Sequence, residues 1–479
     1  MSNQGSLRVG LCGLGNDAYW SQFAGLERRL QGYVAQVAAR LACPCVEVVN
    51  LGLVDTPSRS SEAGHQCRRE DIDVLFLYVT TYALSSTVLP LVQRAGVPVI
   101  VLNLQPAPAI DYQSFNRLKD RTAMTGEWLA YCCACPVPEI ANLFKRARIP
   151  FHQVTGILNE EATWVEIGQW LAAARVRSAL ASARLGLMGH NYSGMLDIMT
   201  DVTLLSITFG TNVELLEVDE LSALGAQVTE TDLTRRVAEF QVAFDVQPDC
   251  PPEELNRAAR TSVALDAFVA RHELNLAAYY YKGSGVAINE NTMSSIILGT
   301  SLLTARHIPV AGEYEVKNAV AMKIMDLLGV GGSFTEYYAI DFNEDLVLMG
   351  HDGPGHIAIA QGKTKVRPLK VYHGKVGSGL SVEMSVKYGP VTLLAVVEEH
   401  EHNASRFKLI VAEGECVAGE ILEIGNTNSR YRFPLGARGF VNAWNQEGPA
   451  HHCAVGIGHV AATLAKTAAL MELGFHQVC

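Results

Sequence analysis

The chain has no long apolar run, no block of like charges and no low-complexity tract. None of the hydrophobic stretches in its 479 residues approaches the ~18 residues that a bilayer-spanning helix requires. With 49% hydrophobic residues, a chain of this kind has enough apolar side chains to fold around buried cores. These absences predict a folded protein without a membrane span, and the length predicts two or three domains.

Positive charge is in deficit. The chain carries 38 Lys and Arg against 49 Asp and Glu, for a formal net charge of −11. An acidic surface repels phosphate backbones, so nucleic acid is excluded as an expected partner. The opening MSNQGSLRVGLCGLG lacks a charged stretch followed by an apolar core and a cleavage site. We therefore expect a cytoplasmic protein.

Paired cysteine motifs are also lacking. There are 11 cysteines, and only Cys132, Cys133 and Cys135 form a C-x-x-C group. A zinc site would need a second cysteine or histidine pair at similar spacing, and none is recognisable. We expect buried thiols here in preference to redox or metal chemistry.

The first third of the chain alternates strand and helix. LRVGLCGL, CVEVVNLGLV, IDVLFLYVTT, VPVIVLNLQ and FHQVTGIL are nearly continuous in apolar residues, as strands buried on both faces are. Helical periodicity covers about Trp20 to Leu41, and an Ala-rich helix is expected from Thr163 to Arg184. The pattern predicts an α/β fold with an N-terminal doubly wound parallel domain over residues 1–175.

Two further domains are expected. Residues 176–328 continue as a second α/β domain. After about Gly329, short runs such as DLVLMG, IAIAQG, TLLAVVEEH and RFKLIVAEGE are separated by turn residues. This spacing predicts a C-terminal antiparallel β-barrel or sandwich over residues 329–479, ending in a helix near His459–Leu473.

A glycine turn follows the first strand. Gly13 to Ala18 fits the G-x-G-x-x-A form of the dinucleotide fingerprint. The fingerprint also requires an acidic residue, about 20 positions further on, that binds the ribose. The nearest candidate, Glu47, lies 29 positions after Ala18 and so fits this spacing poorly. An ordinary strand-to-helix turn capped by Asn16 or Asp17 is the alternative.

Four dispersed side chains form a candidate metal set: Glu313, Glu336, His351 and His452. Two carboxylates and two imidazoles suit Mn²⁺, which accepts mixed oxygen and nitrogen ligands. Six-fold coordination would leave two positions for neighbouring oxygens of a sugar. Each residue also has a local alternative, such as a glutamate in a first helical turn or a solvated histidine at the tip of a hairpin.

The blocks AGEYEVKNAV, SFTEYY, LMGHDGPGH and AWNQEGPAHHC, in this order, resemble those of the L-arabinose isomerase / L-fucose isomerase family. The resemblance implies that Glu313, Glu336, His351 and His452 are the metal ligands, the last being the second of a His-His pair. Fucose isomerases use a Glu, Asp and His set, so the glutamate at 336 favours the arabinose type.

The resemblance implies a metal-dependent aldose–ketose isomerase acting on a free sugar, with Glu313 and Glu336 moving a proton through an enediolate. L-arabinose, another pentose or a 6-deoxyhexose is the expected substrate. A homo-oligomer (trimer, tetramer or hexamer) with pockets between subunits is also implied. The residues expected to contact the sugar are Trp20, Gln22, His190, Tyr192 and His451.

Two departures leave the sugar open. The family's Gln-x-Leu-Tyr-Gly pattern is replaced by Asp17 to Phe23, and DRTAMTGEW differs from the family's Asn/Gln-rich segment. An NAD(P)-dependent oxidoreductase and a non-catalytic sugar-binding or sensing protein are the alternatives. For Asp352, in the turn after His351, orienting an imidazole and capping the turn are equal alternatives. His356 is expected to be structural.

Overall fold

The computed structural model describes residues 6–369, 378–401 and 404–479. The chain divides into two compact units, unit 1 up to Ser178 and unit 2 from Ala179 to Cys479. Within the described residues, every helix is too short or too polar to cross a bilayer.

Within the described residues, unit 1 contains five strands and seven α-helices. The strands are β1 (Leu7–Leu14), β2 (Val46–Val54), β3 (Val74–Val79), β4 (Val99–Gln105) and β5 (Phe151–Ile157). The helices are α1 (Leu26–Leu41), α2 (Pro57–Arg69), α3 (Ser85–Ala95), α4 (Tyr112–Arg117), α5 (Arg121–Leu129), α6 (Val137–Ala147) and α7 (Glu161–Ala181), which runs on into unit 2.

The strands of unit 1 form one parallel sheet in the order β2-β1-β3-β4-β5. Helices cover both faces: Cys12 and Leu14 of β1 join a core with residues of α2, α3 and α6, whereas a Cβ at Gly13 would meet Val34 of α1. The predicted parallel α/β sheet is confirmed. The first helix is shorter than predicted, because the chain turns through Gly25 at φ 85° and α1 begins only at Leu26.

Unit 2 contains the remaining strands and helices. The strands are β6 (Arg184–Gly189), β7 (Asn212–Leu216), β8 (Asp245–Val246), β9 (Leu276–Tyr280), β10 (Val310–Ala311), β11 (Gly331–Asp341), β12 (Leu346–His351), β13 (Lys365–Pro368), β14 (Leu380–Glu383), β15 (Gly389–Glu401), β16 (Ala404–Val417), β17 (Thr427–Arg432), β18 (His452–Ile457) and β19 (Gly474–Gln477). The helices are α8 (Val202–Phe209), α9 (Val218–Ala226), α10 (Glu230–Ala243), α11 (Pro252–Arg271), α12 (Ala287–Met293), α13 (Ile297–Ala305), α14 (Val316–Leu327), α15 (Gly436–Gln446) and α16 (Ala461–Leu470).

Within the described residues, the strands of unit 2 form three sheets. Strands β10-β9-β6-β7 form a parallel sheet, and β14-β13-β8 form a small mixed sheet. The largest sheet has the order β15-β18-β11-β12-β17-β16-β19 and is antiparallel except for the β16–β19 pair. Strand β8, in the predicted central domain, pairs with β13, in the predicted C-terminal domain. The division into residues 1–175, 176–328 and 329–479 stays a prediction.

The C-terminal sheet is mostly antiparallel, as predicted. Strand β15 pairs with both β18 and β16, so the first strand of the order also pairs with the last but one. The predicted barrel or sandwich stays a prediction. Alternate residues of β15 and β16, among them Leu393, Ala395, Ile410 and Ala412, enter one core with α15. The intervening residues, among them Leu394 and Leu409, are buried as well, so this part of the sheet is covered on both faces.

Candidate functional site

Neighbouring strands of the large sheet carry three of the four predicted metal ligands. Glu336 lies in the middle of β11, and its Cα partner on β18 is His452. On the other side of β11, Glu336 pairs with Gly350 of β12, the residue before His351. Direct partners on adjacent strands share one face of a sheet, which brings Glu336 beside His452. His351, at the end of β12, has its ring centroid 5.2 Å from that of His452.

His351 is the last residue of β12 and is 3% exposed. Its backbone N–H donates to Thr427 Oγ1 at 2.9 Å, and that hydroxyl donates to the His351 carbonyl at 3.1 Å. The alternative of a solvated histidine at a hairpin tip is therefore wrong, because the chain passes from His351 into a short 3-10 helix at Ile357–Ile359 and does not return as a paired strand.

Glu313 stands in an unusual backbone segment between β10 and α14. Its φ is 54° and that of Tyr314 is 61°, the left-handed region that non-glycine residues seldom occupy. The Tyr314 N–H donates to the carbonyl of Tyr279 on β9 at 2.9 Å. Glu313 thus precedes the helix instead of lying in its first turn, because α14 begins at Val316.

The four predicted ligands converge around Glu313 and His452. Glu313 Oε1 is 3.6 Å from His351 Nε2, and Glu313 Oε2 is 3.6 Å from His452 Nε2. His452 Nε2 is also 4.0 Å from Glu336 Oε2. These separations are longer than hydrogen bonds, and they connect the four side chains in pairs; the three residues whose ligand atoms all lie within 4.8 Å of one another are Glu313, His451 and His452.

His451 lies in the same group. One ligand atom each of Glu313, His451 and His452 lie within 4.8 Å of one another. His451 Nε2 is 4.0 Å from Glu313 Oε2. Its Nδ1 is 2.6 Å from Asp197 Oδ2, which also accepts the His451 backbone N–H at 3.0 Å. Asp197 therefore fixes the imidazole of His451 with Nε2 directed at the carboxylate of Glu313.

Phe334 packs between the two buried imidazoles. Its ring centroid is 4.4 Å from that of His351 and 4.4 Å from that of His452. Phe334 and Glu336 are two residues apart on β11 and so point to the same face. The aromatic ring walls the site on one side and restricts how far either imidazole can turn.

Burial keeps His452 neutral. The residue is 2% exposed, and burial, with the neighbouring His351, His451 and Lys317, holds the pKa of its imidazole well below the usual range. Neither ring nitrogen has a hydrogen-bond partner within the described residues. A neutral imidazole with an uncommitted nitrogen is the form that binds a metal ion.

Two charged residues beside the site were not identified from the sequence. Glu315 is fully buried with Oε2 3.7 Å from His452 Nδ1, and burial raises the pKa of its carboxyl to about 7 against the lowering effect of Lys317. Lys317 Nζ lies 3.6 Å from Glu315 Oε1. The signal for both was the alternation of charged and apolar residues in the block AGEYEVKNAV.

Burial disfavours ionisation of Asp197, but the hydrogen bonds from His451 outweigh it and lower the pKa of this carboxyl. Asp197 is thus an ionised partner for His451. No sequence pattern pointed to it, since it lies 254 positions from the histidine.

The predicted sugar contacts His190 and Tyr192 follow β6 in unit 2. Both rings pack on Tyr280, with centroids 5.6 Å and 5.2 Å away. Burial, then the neighbouring Tyr192 and Glu313, raises the pKa of Tyr280 to about 12. This aromatic group therefore lies within electrostatic reach of Glu313.

Trp20 and Gln22 belong to unit 1. The indole N–H of Trp20 donates to Asp55 Oδ2 at 2.7 Å, and the Gln22 amide donates to the Ala18 carbonyl at 2.5 Å. The glycine turn before them leads into a 3-10 helix at Asp17–Tyr19 capped by Asn16. Since α1 starts only at Leu26, the turn lacks the helix N-terminus on which a dinucleotide pyrophosphate rests.

The remaining singled-out residues have these environments. Cys132 and Cys133 are buried and Cys135 is exposed, all as free thiols. Burial raises the pKa of Cys132 to about 12, so it is a poor thiolate. Burial raises the pKa values of Tyr279 and Tyr338, and the charge of Asp352 adds to both effects.

The family match to known proteins covers the C-terminal sheet. Residues 331–474 match the L-arabinose isomerase C-terminal domain. An L-arabinose isomerase from Nocardioides sp. is 25% identical over 331 residues, which cover 66% of this chain and 63% of that protein. The enzyme of that name from Erwinia tasmaniensis is 29% identical over 226 residues, covering 44% of each chain.

A third L-arabinose isomerase, from Vibrio parahaemolyticus, is 23% identical over 64% of this chain and 61% of its own length. The matches thus span less than two thirds of these relatives. A solute-binding protein structure from Burkholderia multivorans aligns at 12% identity over 64% of this chain and 97% of its own, with a TM-score of 0.17, too low to support an argument. The chain is thus similar to L-arabinose isomerases, and its residues 331–474 match the C-terminal domain of those enzymes.

Proposed function

We propose that the protein is a divalent-metal-dependent isomerase that interconverts an aldose and a ketose. The observation that carries the proposal is the position of Glu313, whose two carboxylate oxygens each lie 3.6 Å from a buried imidazole, His351 and His452. A carboxylate facing two histidines on different strands is an arrangement that a cation would unite.

The donor set fits a divalent ion. Glu313, Glu336, His351 and His452 supply two carboxylates and two imidazoles, which suit Mn²⁺. The fit is supported by the neutral imidazole of His452, whose nitrogens have no hydrogen-bond partner in the described part of the chain. When bound, the ion would act as a Lewis acid toward two neighbouring oxygens of the sugar.

The chain's own groups would move the proton. Isomerisation transfers hydrogen between C1 and C2, and a carboxylate can take it from one carbon and return it to the other. Glu313 and Glu336 are the candidates. His451, oriented by Asp197, is placed to donate a hydrogen bond to a sugar hydroxyl, and Phe334 keeps water from one side of the site.

L-arabinose is the first substrate to test, since the curated relatives carry that name. Other aldopentoses and 6-deoxyhexoses follow, because the segments at Asp17–Phe23 and DRTAMTGEW depart from the family pattern. Mn²⁺ as the native ion, a cytoplasmic location and a homo-oligomer with Trp20 and Gln22 at a neighbour's pocket belong to the same proposal.

The test is a sugar screen with purified protein. Aldopentoses and 6-deoxyhexoses are incubated with Mn²⁺, with and without excess chelator, and ketose formation is followed. We expect conversion of at least one sugar and its loss with chelator. A protein that binds these sugars and converts none would be a binding or sensing protein, and NAD(P)H oxidation or reduction with any of them would favour the oxidoreductase.

A further inference from the structure

Lys317 is a buried cation in the first turn of α14 with four neighbours. It is 4% exposed. Its Nζ donates to the carbonyls of Asp197 and Met199 at 2.9 and 3.1 Å and to Thr200 Oγ1 at 3.3 Å. An ammonium group has three protons, so these acceptors use all of them, and Glu315 at 3.6 Å contributes as a counter-charge.

The neighbours of Lys317 lead to both histidines of the His-His pair. Glu315 faces His452 Nδ1 at 3.7 Å, and the segment that Lys317 holds through its carbonyls contains Asp197, the hydrogen-bond partner of His451 Nδ1. In each imidazole, Nδ1 therefore faces a carboxylate, that of Asp197 or that of Glu315. Nε2 of each ring faces Glu313. Lys317 thus links the backbone of the Asp197 segment with the carboxylate of Glu315.

We propose that Lys317 is a positioning residue that fixes Asp197 and Glu315 together, and through them the orientation of His451 and His452 toward the metal and the sugar. The inference rests on the proposed function. A carboxylate behind a metal-bound imidazole sets the ring's orientation and affects metal affinity. Because Lys317 hydrogen-bonds the backbone around Asp197 and lies beside the Glu315 carboxylate, one ammonium group should influence the orientation of both rings.

Lys323 provides a matched control on the same helix. It is 5% exposed and donates to the His307 carbonyl at 2.8 Å and to Asp326 Oδ2 at 3.0 Å. Lys323→Met thus removes an equally buried, carboxylate-paired ammonium. The readouts are the Mn²⁺ dissociation constant of the full chain, from the spin-resonance signal of free Mn²⁺, the unfolding midpoint, and kcat and KM for the converted sugar.

We expect Lys317→Met to weaken Mn²⁺ binding by roughly 10- to 100-fold and to lower kcat. Lys323→Met should lower the unfolding midpoint comparably and leave the Mn²⁺ dissociation constant within twofold. The inference is overturned if Lys317→Met binds Mn²⁺ as the wild type does, or if Lys323→Met weakens binding equally. A wild-type protein that neither binds Mn²⁺ nor forms ketose would instead overturn the proposed function, and the inference with it.

A second pair of variants covers the case in which Lys317→Met leaves Glu315 unpaired and the chain fails to fold. Glu315→Gln removes the buried charge, and Lys317→Met is then added to it. The double variant should bind Mn²⁺ at least tenfold more weakly than Glu315→Gln alone, because the segment around Asp197 has lost its donor. Equal affinities of these two variants would exclude a positioning role for Lys317.

Discussion

At the scale of single residues, the site combines buried imidazoles with partly exposed carboxylates. The side chains of His351 and His452 are 4% and 0% exposed, whereas those of Glu313 and Glu336 are 22% and 30% exposed. The partly exposed carboxylates are the groups that the proposed sugar substrate would meet. The imidazoles lie deeper, and both pack against the ring of Phe334.

Replacement of Glu336 by glutamine tests the proton transfer. Glu336→Gln keeps the shape of the side chain and removes its basicity, so kcat should fall by on the order of 10²- to 10⁴-fold. Ketose formation at saturating Mn²⁺ is the measurement. Glu344→Gln is the control, since Glu344 lies after the same strand with its side chain 58% exposed and paired with Arg430; near-normal turnover of Glu336→Gln would remove Glu336 from the chemistry.

His356 makes the fold sensitive to acid. It is 4% exposed, and neither ring nitrogen has a partner within the described residues. Burial lowers its pKa from 6.5 to about 4. The unfolded chain therefore binds a proton at pH values at which the folded chain cannot, and stability present above pH 6.5 is lost as the pH falls toward 4.

The loss attributable to His356 is about 3 kcal/mol across that window. His356→Leu should make the urea midpoint of metal-free protein fall less between pH 7 and pH 5 than that of the wild type. His65→Leu, a change at an exposed position of α2, should leave the wild-type pH dependence intact. Parallel wild-type and His356→Leu curves would show that this histidine does not titrate on unfolding.

At the scale of strands and helices, β12 and β17 approach closely beside the site. A Cβ at Gly350 would stand 1.8 Å from the carbonyl oxygen of Thr427, and Thr427 is the residue that holds the backbone of His351. Only a glycine permits this contact, because the clashing atom belongs to the backbone.

Gly350→Ala should therefore push β17 away and displace His351. We expect a loss of stability of about 1–3 kcal/mol or more and weaker Mn²⁺ binding. Gly225→Ala, within α9 and with open space around its Cβ, should be neutral or stabilising. Thermal unfolding and Mn²⁺ titration of both variants check this, and unchanged behaviour of Gly350→Ala would contradict the close approach.

The elements that the sequence predicted best are those with a strong local signal. The bounds predicted for β1 agree with the structure, because LRVGLCGL is nearly continuous in apolar residues. The predicted start of α1 is too early, because the left-handed turn at Gly25 does not alter the apolar periodicity. Glu313 and His452 were identified through family resemblance. Lys317 and Asp197 escaped, because their partners lie across the fold and no local pattern encodes such contacts.

At the scale of the whole molecule, all four predicted ligands lie in unit 2. Metal binding should therefore stabilise that unit. At about 100 times its dissociation constant, a ligand adds about 2.7 kcal/mol to the folded state, and Mn²⁺ should raise the corresponding calorimetric transition by roughly 5 °C. Glu313→Gln should abolish the shift, and a shift that survives this change would place the ion elsewhere.

The backbone of the segment before α14 affects how the protein is inactivated by heat. Glu313 and Tyr314 hold successive left-handed conformations, each costing on the order of 1 kcal/mol or more. The surrounding packing and the hydrogen bond from the Tyr314 N–H to the Tyr279 carbonyl keep them in place. When that packing loosens, the backbone relaxes toward its preferred angles and swings the carboxylate aside. Warming should therefore reduce the proposed isomerase activity while most of the helices and strands are still intact.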